Sequence, residues 1–297
     1  MNIVMLGHSA AGKTTYVSLM YTIMTEGIGG FSVRAKNQDD HASLTHAARA
    51  IRAGRYPGPT DQRAVFELVL RHQGSDVFPF TWRDYRGGAL GEKTDSPQAR
   101  ELHEDLKRAD GIVVFCDSLK LLTHSRAGRE VRTLVSHVQR ALDARGTTLT
   151  PLVLVLTKAD LVDLDDEKVA GRLTEPFLPL IQAVSAAEHV LGTLTPVACG
   201  PDPFNVHIPV LWALRFGIAG RALDLQRRVE ANMADAKSFA ARDTLWDRFR
   251  SWANDETPAW RHAESSRQAA MAEYEKFEPL VDPANQLGEV IDGVPGF

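Results

Sequence analysis

The spacing of apolar residues predicts a chain in which strands and helices alternate. Asn2–Leu6 predicts a short buried strand, and the continuous apolar runs Gly111–Cys116 and Leu152–Leu156 predict strands buried on both faces, as in a parallel sheet. Arg63–Arg71 alternates and predicts a strand, with Phe78–Arg83 as its antiparallel hairpin partner, and a last strand is expected at Leu194–Ala198. Helical spacing between the strands predicts helices at Lys13 to about Thr25, Asp39–Arg52, Pro97–Arg108, Arg129–Asp143 and from about Pro209.

This order predicts a doubly wound α/β fold, with a mostly parallel sheet and one antiparallel strand. Residues 1–222 are expected to form this domain, and 223–297 a helical C-terminal extension. Helical patterns extend from Leu225 to Trp252 and over Ala259–Phe277, and the tail from Pro279 is expected to be extended or loosely ordered. We expect the first of these helices to pack on the domain and the second, polar one to contact another protein.

Composition and charge argue against several classes of function. The 297 residues carry 34 Lys and Arg against 38 Asp and Glu, a net charge of −4 and a pI of about 6.2, which argues against binding to nucleic acid. Two cysteines without a metal-binding neighbourhood argue against a zinc site or a disulfide framework. No apolar run approaches the ~20 residues that span a bilayer, and no leader pattern precedes the first strand, so a cytoplasmic location is expected.

The clearest chemical signal lies between the first strand and the first helix, where the chain fits GxxxxGK[ST]. Glycines there permit a loop whose backbone N–H groups point at phosphate oxygens, at the positive end of a helix. We expect Lys13 to act on the β- and γ-phosphates and the Thr14 hydroxyl to bind Mg²⁺, whereas His8 is expected to fill the loop. The predicted nucleotide-binding residues of this loop are Gly7, His8, Ser9, Ala10, Ala11, Gly12, Lys13, Thr14 and Thr15.

A second motif, Thr157-Lys158-Ala159-Asp160, follows a buried strand and fits [NT]KxD. Asp160 would accept hydrogen bonds from guanine N1 and N2, a donor pair that adenine lacks. Lys158 would pack its stem along the base, and Thr157 stands where Asn is commoner. The small loop with Ala198 and Cys199, after the last strand, would approach guanine O6 through backbone N–H groups.

Asp84-Tyr85-Arg86-Gly87 fits DxxG and follows another predicted strand. Asp84 would hold Mg²⁺ through a water, and the Gly87 N–H would meet the γ-phosphate and report its loss. Thr60, before the strand Arg63–Arg71, would complete the Mg²⁺ shell when the γ-phosphate is present. These motifs follow successive strands, so they are expected on one crevice side of the sheet.

In this order the motifs resemble those of the P-loop GTPases of the Ras-like and translation-factor-like class, over about residues 1–222. Within it the chain looks most like the bacterial double-GTPase family, on GKTTY at 12–16, the insert before GRYPGPT at 54–60 and DYRGG at 84–88. The resemblance implies a P-loop GTPase sheet, GTP and GDP as ligands with Mg²⁺, and a switch in bacterial signalling that acts on a protein partner.

One departure bears on mechanism. Ras-like enzymes often have Gln directly after DxxG to orient the attacking water, and this chain has Gly88. Hydrolysis is therefore expected to be slow unless another group positions the water. Arg86 and Arg55 are candidates for an internal arginine finger, which can be worth about 10³- to 10⁵-fold in rate, and a partner that supplies the group is equally open.

The sequence leaves three hypotheses open. The first is a GTPase switch whose timer is GTP hydrolysis. The second is an ATP-using P-loop ATPase or kinase, in which Asp160 would be incidental. The third is a nucleotide-binding scaffold without hydrolysis, which Gly88 favours.

Overall fold

The computed structural model describes residues 1–58, 64–85, 97–146, 148–233, 280 and 282–297, and the strands in these ranges form one seven-stranded sheet. The strand order is β2-β3-β4-β1-β5-β6-β7, in which β3 runs antiparallel to both of its neighbours and the other pairs are parallel. The strands are β1 Asn2–Gly7, β2 Phe31–Ala35, β3 Ala64–His72, β4 Ser75–Asp84, β5 Gly111–Asp117, β6 Thr150–Thr157 and β7 Val190–Val197. The predicted fold class, with its one antiparallel strand, is confirmed.

Helices cover both faces of the sheet. They are α1 Lys13–Glu26, α2 Gln38–Arg52, α3 Pro97–Arg108, α4 Ser118–Thr123, α5 Ala127–Asp143, α6 Glu167–Thr174, α7 Leu178–Ser185 and α8 Ile208–Met233. Strand β1 shows why two cores form, because Ile3 and Met5 face one apolar cluster and Val4 and Leu6 face the other. Helices α1, α2 and α8 bury their apolar residues in the first cluster, and α3, α5 and α7 bury theirs in the second.

Strand β2 is absent from the predicted elements. Phe31–Ala35 alternates buried and less buried residues, as a half-buried strand should, but it is only five residues long and lies between two glycines and the helix cap Asn37. Its antiparallel pairing with β3 supplies the backbone partners that so short a segment needs to persist.

The expectation of an extended or loosely ordered tail was wrong for residues 282–293, whereas residues 294–297 are extended. Residues 282–290 are helical, and Leu287 and Ile291 are buried in the first apolar cluster. Phe297 then exchanges two backbone hydrogen bonds with Gly192, which extends the edge of the sheet beside β7. The predicted domain boundary at residue 222 falls within helix α8 and stays a prediction. The predicted helix at Ala259–Phe277 lies outside the described residues.

Within the described ranges, no helix is both long and apolar enough to cross a bilayer.

Candidate nucleotide-binding site

The loop between β1 and α1 has the backbone geometry that its sequence predicts. Ala10 and Gly12 have left-handed φ angles of 62° and 82°, and α1 begins directly after them at Lys13. A Cβ on Gly7 would lie 2.7 Å from the carbonyl oxygen of Phe115, so this position tolerates only glycine beside β5. The loop therefore passes close to the sheet and exposes its backbone amides at the N-terminus of α1.

Lys13 and Asp84 form a buried charged pair at the phosphate end of the site. Lys13 Nζ donates to the carbonyl oxygen of Gly7 at 2.9 Å and lies 3.9 Å from Asp84 Oδ1. Burial lowers the pKa of Lys13, and the charge of Asp84 opposes that shift. Burial raises the pKa of Asp84 from 3.8 to about 6, against the opposing effects of Lys13 and of a hydrogen bond from Thr14.

The side chains of Asp84 and Thr14 fit a magnesium ion. Asp84 Oδ1 is buried and accepts no hydrogen bond from any residue that the structure describes, while the Thr14 hydroxyl lies at hydrogen-bonding distance from the carboxylate. Carboxylate and hydroxyl oxygens are the donors that Mg²⁺ prefers, and the ion ordinarily takes the rest of its shell from phosphates and water. No cluster of three His, Cys, Asp or Glu residues that could hold a metal occurs in the described part of the chain, and this mode of binding requires none.

At the other end, Thr157 joins the two neighbouring motifs. Its buried Oγ1 lies 3.0 Å from the carbonyl oxygen of Ala11 in the phosphate loop and 3.0 Å from that of Cys116 in β5. Lys158 follows with a left-handed φ of 55°, and its ammonium is paired with Asp117. Asp160 is exposed at the cavity, and Cys199 beside it has its pKa raised to about 12, first by burial and then by the charge of Asp160.

One cavity of about 540 Å³ holds both ends of the site, a volume that suits a ligand of nucleotide size. The predicted site residues that line it are Ser9, Ala10, Ala11, Gly12, Lys13, Thr14, Thr15, Asp84, Thr157, Lys158, Asp160 and Cys199. Three separate motifs, far apart in sequence, therefore meet around a single space.

Four predicted residues do not line this cavity. Gly7 contributes only its carbonyl to Lys13, and Ala198 is buried and bridged to Phe204. His8 Nε2 is 3.0 Å from the carbonyl oxygen of Glu130, which fits the expected loop-filling role. Arg55 is exposed. Thr60, Arg86 and Gly87 lie outside the described residues.

Several lining residues were missed by the sequence reasoning. Tyr56, Pro57 and Gly58 border the cavity directly before the predicted Thr60, and Leu119 and Leu161 are large apolar side chains exposed at it. Asp117, which does not line the cavity but pairs with Lys158, was missed as well; it is an acidic residue at the end of the buried run Gly111–Cys116, beside the strand that carries the motif Thr157–Asp160.

Comparison with known proteins identifies the family of the chain. A family model described as Double-GTPase 2 matches residues 2–189, so the chain belongs to that family of GTPases. A search of curated proteins finds none that matches the sequence.

Solved structures resemble this chain at low identity. A chain of the signal recognition particle receptor SRb-GTP/SRX complex from Chaetomium thermophilum is 14% identical, with a TM-score of 0.45, over 72% of this chain and 96% of that one. The bacterial selenocysteine-specific elongation factor EF-Sec is 13% identical, with a TM-score of 0.39, over 73% of this chain and 28% of that one. The S. cerevisiae Ski7 GTPase-like domain bound to GTP is 15% identical, with a TM-score of 0.41, over 67% of this chain and 42% of that one.

Proposed function

We propose that this protein binds GTP and GDP with Mg²⁺, hydrolyses GTP slowly on its own, and acts as a nucleotide-controlled switch for a partner protein. The observation that carries the proposal is that Asp160 and the phosphate loop open into the same cavity. A phosphate loop alone serves many nucleotides, whereas a carboxylate at the base end favours guanine.

The site residues that the structure describes each have a role in this proposal. The backbone amides of residues 9–14 and the Lys13 ammonium would bind the phosphates, and Thr14 and Asp84 would hold Mg²⁺ directly and through water. Mg²⁺, when bound, neutralises charge on the phosphates. Asp160 would accept from guanine N1 and N2, with the stem of Lys158 along the base and the loop at Cys199 near O6.

Titrations with guanine and adenine nucleotides test which base the protein prefers. GTP, GDP, ADP and ATP are titrated with Mg²⁺ against the wild type, Asp160→Ala and Asp165→Ala, the last an exposed aspartate that does not line the cavity. We expect a guanine preference that Asp160→Ala removes and Asp165→Ala leaves intact. Equal or tighter binding of ATP by the wild type would favour the ATPase or kinase alternative instead.

Slow hydrolysis follows from Gly88, which offers no side chain to orient water. Arg55 does not line the cavity, but it directly precedes the lining residue Tyr56, and Arg86 directly follows the lining residue Tyr85. Single-turnover GTP hydrolysis by wild type, Arg55→Ala and Arg86→Ala separates the two internal candidates. If both variants hydrolyse like the wild type, a partner is the expected source. No hydrolysis by the wild type in the presence of Mg²⁺ would favour the scaffold alternative.

The switch itself needs two states that differ with the nucleotide. The regions proposed to change are residues 54–60 and 84–95, which would flank the γ-phosphate. Hydrogen exchange in the GDP state and in the state with a non-hydrolysable GTP analogue should differ at these regions and not in β5 or β6. Identical exchange in the two states would contradict a switch.

A further inference from the structure

Asp117 lies next to the base end of the cavity, and each of its two carboxylate oxygens contacts a lysine residue. Asp117 is the last residue of β5, and its side chain is only 11% exposed. Its Oδ1 accepts a hydrogen bond from the backbone N–H of Lys120 at 2.9 Å and so caps the N-terminus of α4. Its Oδ2 forms an ion pair with the ammonium of Lys158. Asp117 does not line the nucleotide cavity, so it acts on a nucleotide through its partners, of which Lys158 itself lines the cavity.

Strand register places these two residues together. Strands β5 and β6 are parallel neighbours, and Asp117 pairs with Thr157, the residue before Lys158. Lys158 has a left-handed backbone, which costs energy for a residue with a side chain, and its ammonium still reaches back to β5. The Lys158 side chain is 40% exposed, so without a tether it would be free to sample many rotamers in solvent. The ion pair with Asp117 fixes one arrangement before any nucleotide arrives, which reduces the entropy lost on binding.

The ion pair between Asp117 and Lys158 is also linked by contacts to the phosphate loop. Lys120, whose N–H is bonded to Asp117, extends its ammonium to Glu130 Oε2 at 2.6 Å. The carbonyl oxygen of the same Glu130 lies 3.0 Å from His8 Nε2 in the phosphate loop. A short chain of contacts thus runs behind the cavity from the base lysine to the phosphate loop.

We propose that Asp117 is a positioning residue for the purine base, which it serves by holding the Lys158 side chain in place at the cavity wall. This inference rests on the proposed function, because the ligand is a guanine nucleotide.

The test compares Asp117 with Asp166. Both cap a helix, but only Asp117 forms an ion pair with Lys158. Asp166 caps α6 through a hydrogen bond from Lys168 N–H at 2.8 Å, it is exposed, and it does not line the cavity. Asn is as good a helix cap as Asp, so Asp117→Asn and Asp166→Asn should both keep their caps, and loss of the ion pair should lower the stability of Asp117→Asn by at most about 1 kcal/mol. Only Asp117→Asn removes the ion pair with Lys158.

We expect Asp117→Asn to raise the Kd for Mg²⁺-GDP about 3- to 5-fold, the cost of ordering one long side chain on binding, and Asp166→Asn to leave it unchanged. In steady-state GTP hydrolysis, KM should rise with kcat unchanged, because the base contact is the same in the ground state and the transition state. A merely structural role of Asp117 would lower the unfolding midpoint but would not raise KM at constant kcat.

A double-mutant cycle with Lys158→Met isolates the coupling, since Met keeps an apolar stem and lacks the ammonium. In the Lys158→Met background, Asp117→Asn should cause no further rise in Kd. Additive effects of the two changes, or a Kd for Asp117→Asn equal to that of the wild type, would overturn the inference while leaving the proposed function intact. A wild type that shows no guanine preference in the same titrations would overturn the proposed function itself.

Discussion

The charge on Asp84 is held in the folded protein at a cost in stability, and an amide in its place should recover that cost. Asp84 is 4% exposed, and its pKa is raised from 3.8 to about 6. Because the folded state holds the proton more tightly than the unfolded state, ionised Asp84 destabilises the fold. The penalty is absent below about pH 4, grows as the pH rises towards 6, and is constant above that value.

The magnitude follows from the difference between the folded and unfolded pKa values. A carboxyl whose pKa rises from 3.8 to about 6 on folding destabilises the fold by about 3 kcal/mol at pH 7.5 and, with the proton partly bound, by about 1.5 kcal/mol at pH 5. Without nucleotide or Mg²⁺, Asp84→Asn should therefore be more stable than the wild type, and the gain should roughly double between these two pH values. With Mg²⁺-GDP the order should reverse, because the amide is a poorer Mg²⁺ ligand and the variant gains less from the ligand.

Urea unfolding in EDTA at pH 5 and pH 7.5 measures the gain directly. Asp76→Asn is the matched control, since Asp76 is exposed, its pKa is lowered by the hydrogen bond with Arg34, and its amide should give no stabilisation. A variant Asp84→Asn that is no more stable than the wild type at pH 7.5, or a gain that does not increase with pH, would show that the charge on Asp84 does not destabilise the fold.

Two further predictions concern packing and the junction between motifs. Gly220 in α8 and Gly171 in α6 are both helical glycines, but a Cβ on Gly220 would lie 2.7 Å from the carbonyl oxygen of Leu149, while Gly171 has open space. Thermal unfolding should show Gly220→Ala destabilised by about 1–3 kcal/mol and Gly171→Ala stabilised by about 0.5–1 kcal/mol; equal effects at the two sites would be inconsistent with this packing. Thr157→Val should weaken GDP binding and cost about 1–2 kcal/mol, because the hydroxyl near Ala11 and Cys116 is lost, whereas Thr157→Ser should keep most of both. Titration calorimetry and melting curves measure this pair, and a Val variant that binds like the Ser variant would show that the hydroxyl does not matter.

The elements that sequence predicted best are those whose pattern is decided locally. Strands β5 and β6 are buried on both faces, so their apolar runs are unbroken, and the loop before α1 is specified by glycines that its backbone requires. The motif residues could be assigned to strand ends because a parallel sheet brings those ends to one edge.

What sequence missed depends on contacts between distant segments. Strand β2 is too short to persist without β3, and the final helical turns at residues 282–290 are held by the core to which Leu287 and Ile291 belong. The pairing of Asp117 with Lys158 requires the register of β5 with β6 and the left-handed backbone at Lys158, neither of which a residue pattern displays. Tyr56 has no motif of its own and is recognised only by its place at the cavity.

We propose above that Asp160 recognises a guanine base bound in the cavity. The most direct measurement compares GDP with xanthosine diphosphate for the wild type and Asp160→Asn. Guanine presents N–H donors at N1 and N2 to the carboxylate, whereas xanthine carries an oxygen in place of the N2 amine and so matches the amide N–H of Asn. The wild type should prefer GDP, and Asp160→Asn should prefer xanthosine diphosphate. A preference that the substitution leaves unchanged would show that Asp160 does not recognise the base.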